Sequence, residues 1–582
     1  MADLQNPLTA LYYPQDSGMP SLPGDLKGSV GVCFSGGGSR ACTAALGQMR
    51  GLHHLKLLNR DKIKCISSVS GGTWASVLYA FRSADIDIDT FLGGVAIDPG
   101  KLTWGAHSAE NKAEILDYLD FNNLGMVPTR LSPELIIKTM IQLHDQYHYP
   151  ACDLWIHAIG KLVLAPFGLA QVDADGNFLK YMGYTQQWIE DNPVKLNPGQ
   201  LNVEDFDAIP DDPLRPYLIT NTSVFANPTT LLNFEISPIY QGVFNALQID
   251  ENLFGGGYLD TYAFGSTCPK KLTDYTVSVQ PMKMRTSLAI TAALSSAFYA
   301  VIVEDMILKA QGDVEKLDNM PALAFLRKEF NALSGVIGNI GDLAPKVPYW
   351  APHGPVGELS ATNPDTRTVK FADGGNLENL GIMALLQRSC TSIIAFINTM
   401  DPLVQSKEGL IVDSELPPLF GYCPKKEGQP YRLYSALSKE ELDKLGGEDF
   451  ILRDNQVFPS TEFFPFLEKI ATASRGKAGV LGSDPALFVQ QLTTIKNARF
   501  GVEAGLSVKV LWVYNNPVAS WQRQLSREIR FMMDLEILDY DDFPNYNTIS
   551  KIHLNARQVN LLAHLSCWNV VQSKDVFLSM WD

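Results

Sequence analysis

The strongest constraint on this chain is a unit that occurs twice in its first 81 residues: a short apolar run, a glycine turn and a helical stripe. Residues 29–35 (SVGVCFS) are β-rich and end at Gly36-Gly37-Gly38, after which Ala45, Met49 and Leu52 recur at i, i+4 and i+7, one face of a helix. Residues 63–69 (IKCISSV) form a second run; Ser70-Gly71-Gly72 follow, and Trp74, Val77, Leu78 and Phe81 repeat the stripe. Much later, 368–372 (TVKFA) ends at Asp373-Gly374-Gly375, and a short helical stretch leads to the apolar strand 392–398 (SIIAFIN). A further strand is expected at 509–514 (KVLWVY). Strands alternating with helices are buried on both faces by those helices, so the pattern predicts an α/β fold with a mainly parallel, doubly wound sheet.

Between these units lie two long insertions, about 85–215 and 402–500, rich in Pro, aromatic and acidic residues. Both read as elaborations on one sheet, the first as a helical cap with patches such as ELIIKTMIQL (134–143). We therefore expect one domain over 1–582, although that length would ordinarily suggest several. An apolar content of 46% with 19% charged residues excludes disorder, collagen and coiled coil. The longest uncharged stretch, 286–303 (TSLAITAALSSAFYAVIV), reaches the lower bound for a membrane span. Its Ser, Thr and Ala content and the bracketing Arg285 and Glu304 favour a buried core helix.

The formal net charge of −16 opposes non-specific binding to nucleic acid or to strongly anionic lipid, since both need a positive field. An acidic protein can still meet a membrane through apolar contact. Eight scattered cysteines without a C-x-x-C suit a reducing compartment and argue against a cysteine zinc site. The N-terminal stretch has neither a basic start nor an apolar run of signal length, so a cytoplasmic location is expected, with peripheral membrane attachment as the variant. The sequon at Asn221 falls in a strand-like run and carries no expectation.

Chemistry concentrates at the three glycine turns. Ser70 stands where a strand turns sharply into a helix, the geometry that displays a nucleophile at a sheet edge. The usual elbow reads G-x-S-x-G; here Ser68 replaces the first glycine. A serine needs a base, and none of the nine histidines sits at a strand end followed by small residues, whereas Asp373 does. Gly36-Gly37-Gly38 before a helix can converge N–H groups on an oxyanion. Taken alone, each turn also has a plain reading: a tight turn at Ser70, an Asp-Gly turn at Asp373. A dinucleotide fingerprint, Gly36-x-Gly38-x-x-Ala41, is disfavoured because the next strand ends in Ser67-Ser68-Val69-Ser70 and not in an acidic residue.

Together, Phe34-Ser-Gly-Gly-Gly-Ser-Arg-Ala41, Val69-Ser-Gly-Gly-Thr-Trp74 and Ala372-Asp-Gly-Gly-Asn376 resemble the signatures of the cytosolic phospholipase A2 and fungal phospholipase B family, within the patatin-like superfamily. Phe234-Glu-Ile-Ser-Pro238, Gly255-Gly-Gly-Tyr258, Ala263-Phe-Gly-Ser266 and Ser296-Ala-Phe298 also resemble its core segments. The likeness spans about residues 28–400 and is weaker beyond. Three departures stand out: Ser68 at the elbow, no C2 calcium-binding domain before the core, and no signal peptide of the secreted fungal kind. The resemblance implies a lipid acyl-ester hydrolase of phospholipase A2 or lysophospholipase type with a Ser-Asp dyad. Ser70 would be the nucleophile, Asp373 the base and then acid, Gly36, Gly37 and Gly38 the oxyanion hole. Arg40 would hold the lipid phosphate, with a solvated first-turn arginine as its plain reading. Substrates would be phospholipid or lysophospholipid met at a transient membrane or aggregate interface, with no cofactor, metal or nucleic acid. Acyl transfer and a silent lipid-binding role are the alternatives.

Two further stretches carry expectations. His144 and His148 share an i, i+4 spacing, but HDQYH lacks the HExxH glutamate, so no zinc site is expected. Residues 156–172 carry one charge and read either as buried or as a lipid-facing cap, with Leu162, Val163, Leu164, Phe167 and Leu169 the best candidate docking surface.

Overall fold

The computed structural model describes residues 7–17, 26–104, 115–227, 230–249, 252–267, 275–280, 285–301, 343–350, 367–425, 428–442, 444–445, 451–535, 542–549 and 552–582. Its centre is a fourteen-stranded sheet. In chain order the strands are β1 (Leu8–Pro14), β2 (Val30–Phe34), β3 (Ile63–Val69), β4 (Tyr217–Asn227), β5 (Thr230–Ile236), β6 (Tyr240–Val243) and β7 (Gly257–Asp260). Then come β8 (Ser266–Thr267), β9 (Thr276–Val279), β10 (Lys346–Tyr349), β11 (Arg367–Ala372), β12 (Ser392–Ile397), β13 (Ala486–Thr493) and β14 (Ser507–Tyr514). The spatial order is β8-β9-β1-β7-β6-β5-β4-β3-β2-β12-β14-β13. Five central strands, β4-β3-β2-β12-β14, pair in parallel; the flanks are antiparallel.

The parallel core is covered on both faces, as the apolar runs require. Along β12, Ile394 and Phe396 enter one core while Ile393, Ala395 and Ile397 enter the other. Successive side chains of a strand alternate between faces, so a strand buried on both must be apolar throughout. The first face is covered by α1 (Gly38–His54), α2 (Ser70–Phe81) and the C-terminal α8 (Ala556–Gln572). The second is covered by α6 (Ile382–Gln387) and α7 (Phe463–Arg475). Cores of this kind gain roughly 25 cal/mol per Å² of apolar surface removed from water.

The register of β4 assembles the site. Its Tyr217–Asn221 segment pairs with β3, ending at Val69↔Asn221, while β5 occupies its other edge from Thr220 onward. β11 then runs antiparallel onto the free edge just beyond β3, with Ala372↔Ser223 and Phe371↔Val224. The end of β11 therefore arrives where β3 turns into α2.

Residues 156–172 correct one expectation. Leu162, Val163, Leu164, Phe167 and Leu169 are all buried, in the same core as β2, α1 and α2. From α4 (Ala151–Ile159) the chain continues through a π turn and a 3-10 turn. Phe167 meets the Phe91 ring edge-on at 5.8 Å. These five side chains belong to the core and offer no docking surface. Of the 286–303 run, residues 302–303 lie outside the described residues; α5 (Leu288–Ser295) is buried along its whole length, as expected of a core helix. No helix among the described residues is long and apolar enough to cross a membrane. The end of the expected 402–500 insertion belongs to the sheet, since β13 pairs with β14 over residues 486–493.

Candidate active site

Ser70 is built into a strained elbow. Val69 is extended (φ −134°, ψ 138°) and Ser70 turns to φ 50°, a left-handed value that costs a non-glycine residue about 1–3 kcal/mol. The turn is tight because a Cβ on Gly71 would lie 2.0 Å from Gly38 O, so only glycine passes. The Ser70 N–H donates to Ser295 Oγ at 2.9 Å, which in turn donates to Asn221 O at 2.7 Å. The end of α5 thus braces the elbow. Ser68, where the usual pattern has glycine, is buried, and its Oγ accepts from Thr73 Oγ1 at 3.2 Å; a small side chain fits there.

Asp373 follows β11 and caps its own turn. Its Oδ1 accepts the Gly375 N–H at 2.8 Å. Its Oδ2 accepts the Ser70 hydroxyl at 3.0 Å and the Phe298 N–H at 3.3 Å. Both side chains are shielded: Ser70 and Asp373 are each 3% exposed. Burial pushes the Asp373 carboxyl up to about 7, while the Gly375 N–H, the Ser70 hydroxyl and the Phe298 N–H pull it down. A carboxyl of that strength can take and return a proton near neutral pH.

The glycine turn lies beside this pair because β2 and β3 are parallel neighbours, with Phe34 opposite Ser68. Gly37 (φ 127°) and Gly38 (φ 54°) hold left-handed backbone and open α1, with Gly37 as its N-cap. Their N–H groups take no acceptor among the described residues, and the helix start adds partial positive charge. Gly36 departs from expectation: its N–H donates to Asn379 O at 2.9 Å, so it is already satisfied and not available to a substrate.

Arg40 is not solvated but buried at 4% exposure. Its Nε donates to Asn398 O at 2.9 Å and its Nη1 to Tyr546 O at 2.7 Å. Burial lowers its pKa, opposed by Tyr299, Asp413 and Asp401. Nη2 takes no acceptor among the described residues, and Arg40 lines a cavity of about 420 Å³ with Gly37, Ser70, Tyr299, Asp373 and Asn379. Three acidic residues, Asp401, Asp413 and Glu415, also line it. No histidine is among the cavity's described lining residues.

Sequence reasoning missed Ser295, the Phe298 N–H, Asn379 and Glu378. The Ser296-Ala-Phe298 likeness marked the neighbourhood of the first two; only the tertiary fold brings Ser295 to Ser70 and the Phe298 N–H to Asp373. His144 and His148 end α3 (Pro133–Tyr147) with rings 6.3 Å apart, away from this cavity. Among the described residues no group of three or more His, Cys, Asp or Glu side chains could hold a metal.

No protein-family model matches this sequence, and no curated protein matches it. Among solved structures, human GIVD cytosolic phospholipase A2 aligns with TM-score 0.50 at 14% identity, over 96% of this chain and 63% of that one. The same human protein with methyl γ-linolenyl fluorophosphonate aligns more loosely, with TM-score 0.42 over 97% of this chain and 60% of that one. This chain therefore spans less than two thirds of the length of that protein and shares its α/β fold, a mixed sheet that is parallel at its centre and flanked by helices.

Proposed function

We propose that the protein is a serine-dependent lipid acyl-ester hydrolase of phospholipase A2 or lysophospholipase type, related to the cytosolic phospholipase A2 and phospholipase B family of patatin-like enzymes. The observation that carries this reading is the 3.0 Å hydrogen bond from Ser70 Oγ to Asp373 Oδ2 beside the Gly37 and Gly38 N–H groups. In this scheme Asp373 takes the hydroxyl proton as Ser70 Oγ attacks the ester carbonyl. The tetrahedral oxyanion forms against the two N–H groups, which are aimed before charge develops and so lower the barrier. Collapse expels the alcohol, which receives the proton from Asp373. Water then attacks the acyl-serine with Asp373 again as base, releasing the fatty acid.

Arg40 Nη2 is the candidate partner of the lipid phosphate, in a site whose Asp401 and Asp413 also act on the guanidinium. With net charge −16, contact with a membrane or lipid aggregate relies on apolar contact more than on bulk attraction. The reading places the enzyme in the cytoplasm, visiting lipid surfaces peripherally, with no nucleic-acid partner. Acyl transfer follows if an alcohol resolves the acyl-serine in place of water.

A fluorophosphonate probe with a panel of phospholipids, lysophospholipids and acceptor alcohols, products identified by mass spectrometry, tests this. The expected result is labelling at Ser70 and release of free fatty acid, both lost in Ser70→Ala while the circular-dichroism spectrum is kept. Labelling that survives Ser70→Ala, or a wild-type protein inert to probe and panel, overturns it.

A further inference from the structure

The oxyanion side of the cavity contains more than the glycine turn. Asn379 lies on the loop between Asp373 and α6, and its main-chain O takes the Gly36 N–H at 2.9 Å. Its neighbour Glu378 holds that loop: the buried carboxylate accepts Leu380 N–H at 2.8 Å through Oε1 and Gly381 N–H at 2.9 Å through Oε2. The Asn379 backbone is thus pinned on both sides.

The side chain crosses the two glycine turns. A Cβ on Gly36 would lie 2.2 Å from Asn379 Oδ1 and 3.1 Å from Ser70 Cβ. A Cβ on Gly375 would lie 2.7 Å from the same oxygen. The carboxamide therefore occupies space left open by two missing side chains, next to Ser70, and lines the cavity with Gly37 and Asp373. It makes no hydrogen bond among the described residues. A carboxamide carries two N–H donors, and with its oxygen seated over the glycines its NH2 is left for the cavity.

Resting on the hydrolase reading above, we infer that Asn379 is a further catalytic residue: its side-chain NH2 donates to the oxyanion that forms when Ser70 attacks the ester carbonyl. It supplies the third donor in place of Gly36, whose N–H its own main chain occupies. A donor aimed at developing charge acts on the transition state more than on bound substrate, so its loss falls on kcat.

The test uses the full chain with a soluble short-chain ester, comparing wild type, Asn379→Leu, which keeps the bulk without a donor, and Asn379→Ala. The expected loss in kcat is about 10²–10³-fold, with KM within about threefold of wild type. Affinity for a trifluoromethyl ketone, which forms a tetrahedral adduct on serine, falls with kcat, while an ether analogue lacking the carbonyl binds unchanged. The thermal melting midpoint stays put, because the main-chain bond to Gly36 survives both substitutions. A kcat near wild type in either folded variant, a change confined to KM, or unchanged ketone affinity overturns the inference while the hydrolase reading stands. Wild-type protein that neither labels with fluorophosphonate nor turns over ester overturns both.

Discussion

The two turns that bear Ser70 and Asp373, the proposed reacting pair, are built on opposite principles. Ser70 follows the central parallel strand β3, in backbone strained to φ 50°, with glycines at 71 and 72. Asp373 follows the antiparallel strand β11 in ordinary backbone (φ −55°, ψ 144°), yet holds a buried carboxyl raised to about 7. Strain positions the serine; desolvation, tempered by three donors, tunes the acid. The first is a local steric property and leaves small residues as its trace in sequence. The second depends on what the rest of the chain places around the carboxyl.

Breaking the steric side gives the largest effect. Gly71→Ala drives a Cβ to 2.0 Å from Gly38 O, a backbone atom that cannot swing away. We expect loss of folded protein or complete loss of turnover, read by soluble yield and circular dichroism; an active, folded variant would show that the two turns are less tightly packed than described. Breaking the electrostatic side should spare the fold. Asp373→Asn removes the base and should lower kcat/KM by about 10³-fold or more, with the secondary-structure spectrum retained. A histidine variant as inactive as Asp373→Asn would replace the pair by a triad.

The pH profile sharpens the same contrast. Because the base must be ionised, kcat/KM of the wild type should climb through pH of about 7 and level off above it. A limb near pH 4 would mean that burial does not tune this carboxyl. The smallest effects are on stability. The Asp373 pKa is raised on folding from 3.8 to about 7, so the native state holds a proton that the unfolded chain gives up. Its contribution is fully present below about pH 4 and is lost as pH rises through about 7. Asp373→Asn should therefore gain stability over wild type as pH rises from 4 to 8, by about 1–4 kcal/mol, and little at pH 4. Ser70→Gly releases backbone strain, partly offset by glycine's entropy, and should gain about 0.5–1 kcal/mol at pH 5, but less at pH 8, where the ionised Asp373 has lost the Ser70 hydroxyl that stabilises its charge. Urea melts at those pH values separate the two; matching pH dependence would erase the distinction.

The strand, turn and helix at 30–54 and at 63–81 were legible because each is a local period interrupted by glycine. Ser70 and Asp373 are joined by a hydrogen bond, and Gly37 and Gly38 open the helix beside them. The misplaced expectations share one cause: they concern what covers a group. Residues 156–172 carry a single charge, and their large apolar side chains from Leu162 to Leu169 are buried, which composition alone does not separate from a lipid-facing surface. Gly36 looks equivalent to its two neighbours in sequence, yet Asn379, more than 340 positions away, consumes its N–H. The alternative of a solvated Arg40 fails for the same reason, since the carbonyls of Asn398 and Tyr546 take its guanidinium into a buried site.

What the sequence determined by itself is the set of backbone permissions: where the chain can turn at positive φ, which runs can lie buried in a parallel core, and which side chains stand at the turns. Tertiary structure alone decided the partners. β4 extends past the end of β3 and offers a free edge on which β11 lands antiparallel, bringing a carboxyl across 303 positions to a serine hydroxyl. Burial at that junction then sets the carboxyl's proton affinity, because the cost of a charge depends on how much water the surrounding chain has removed.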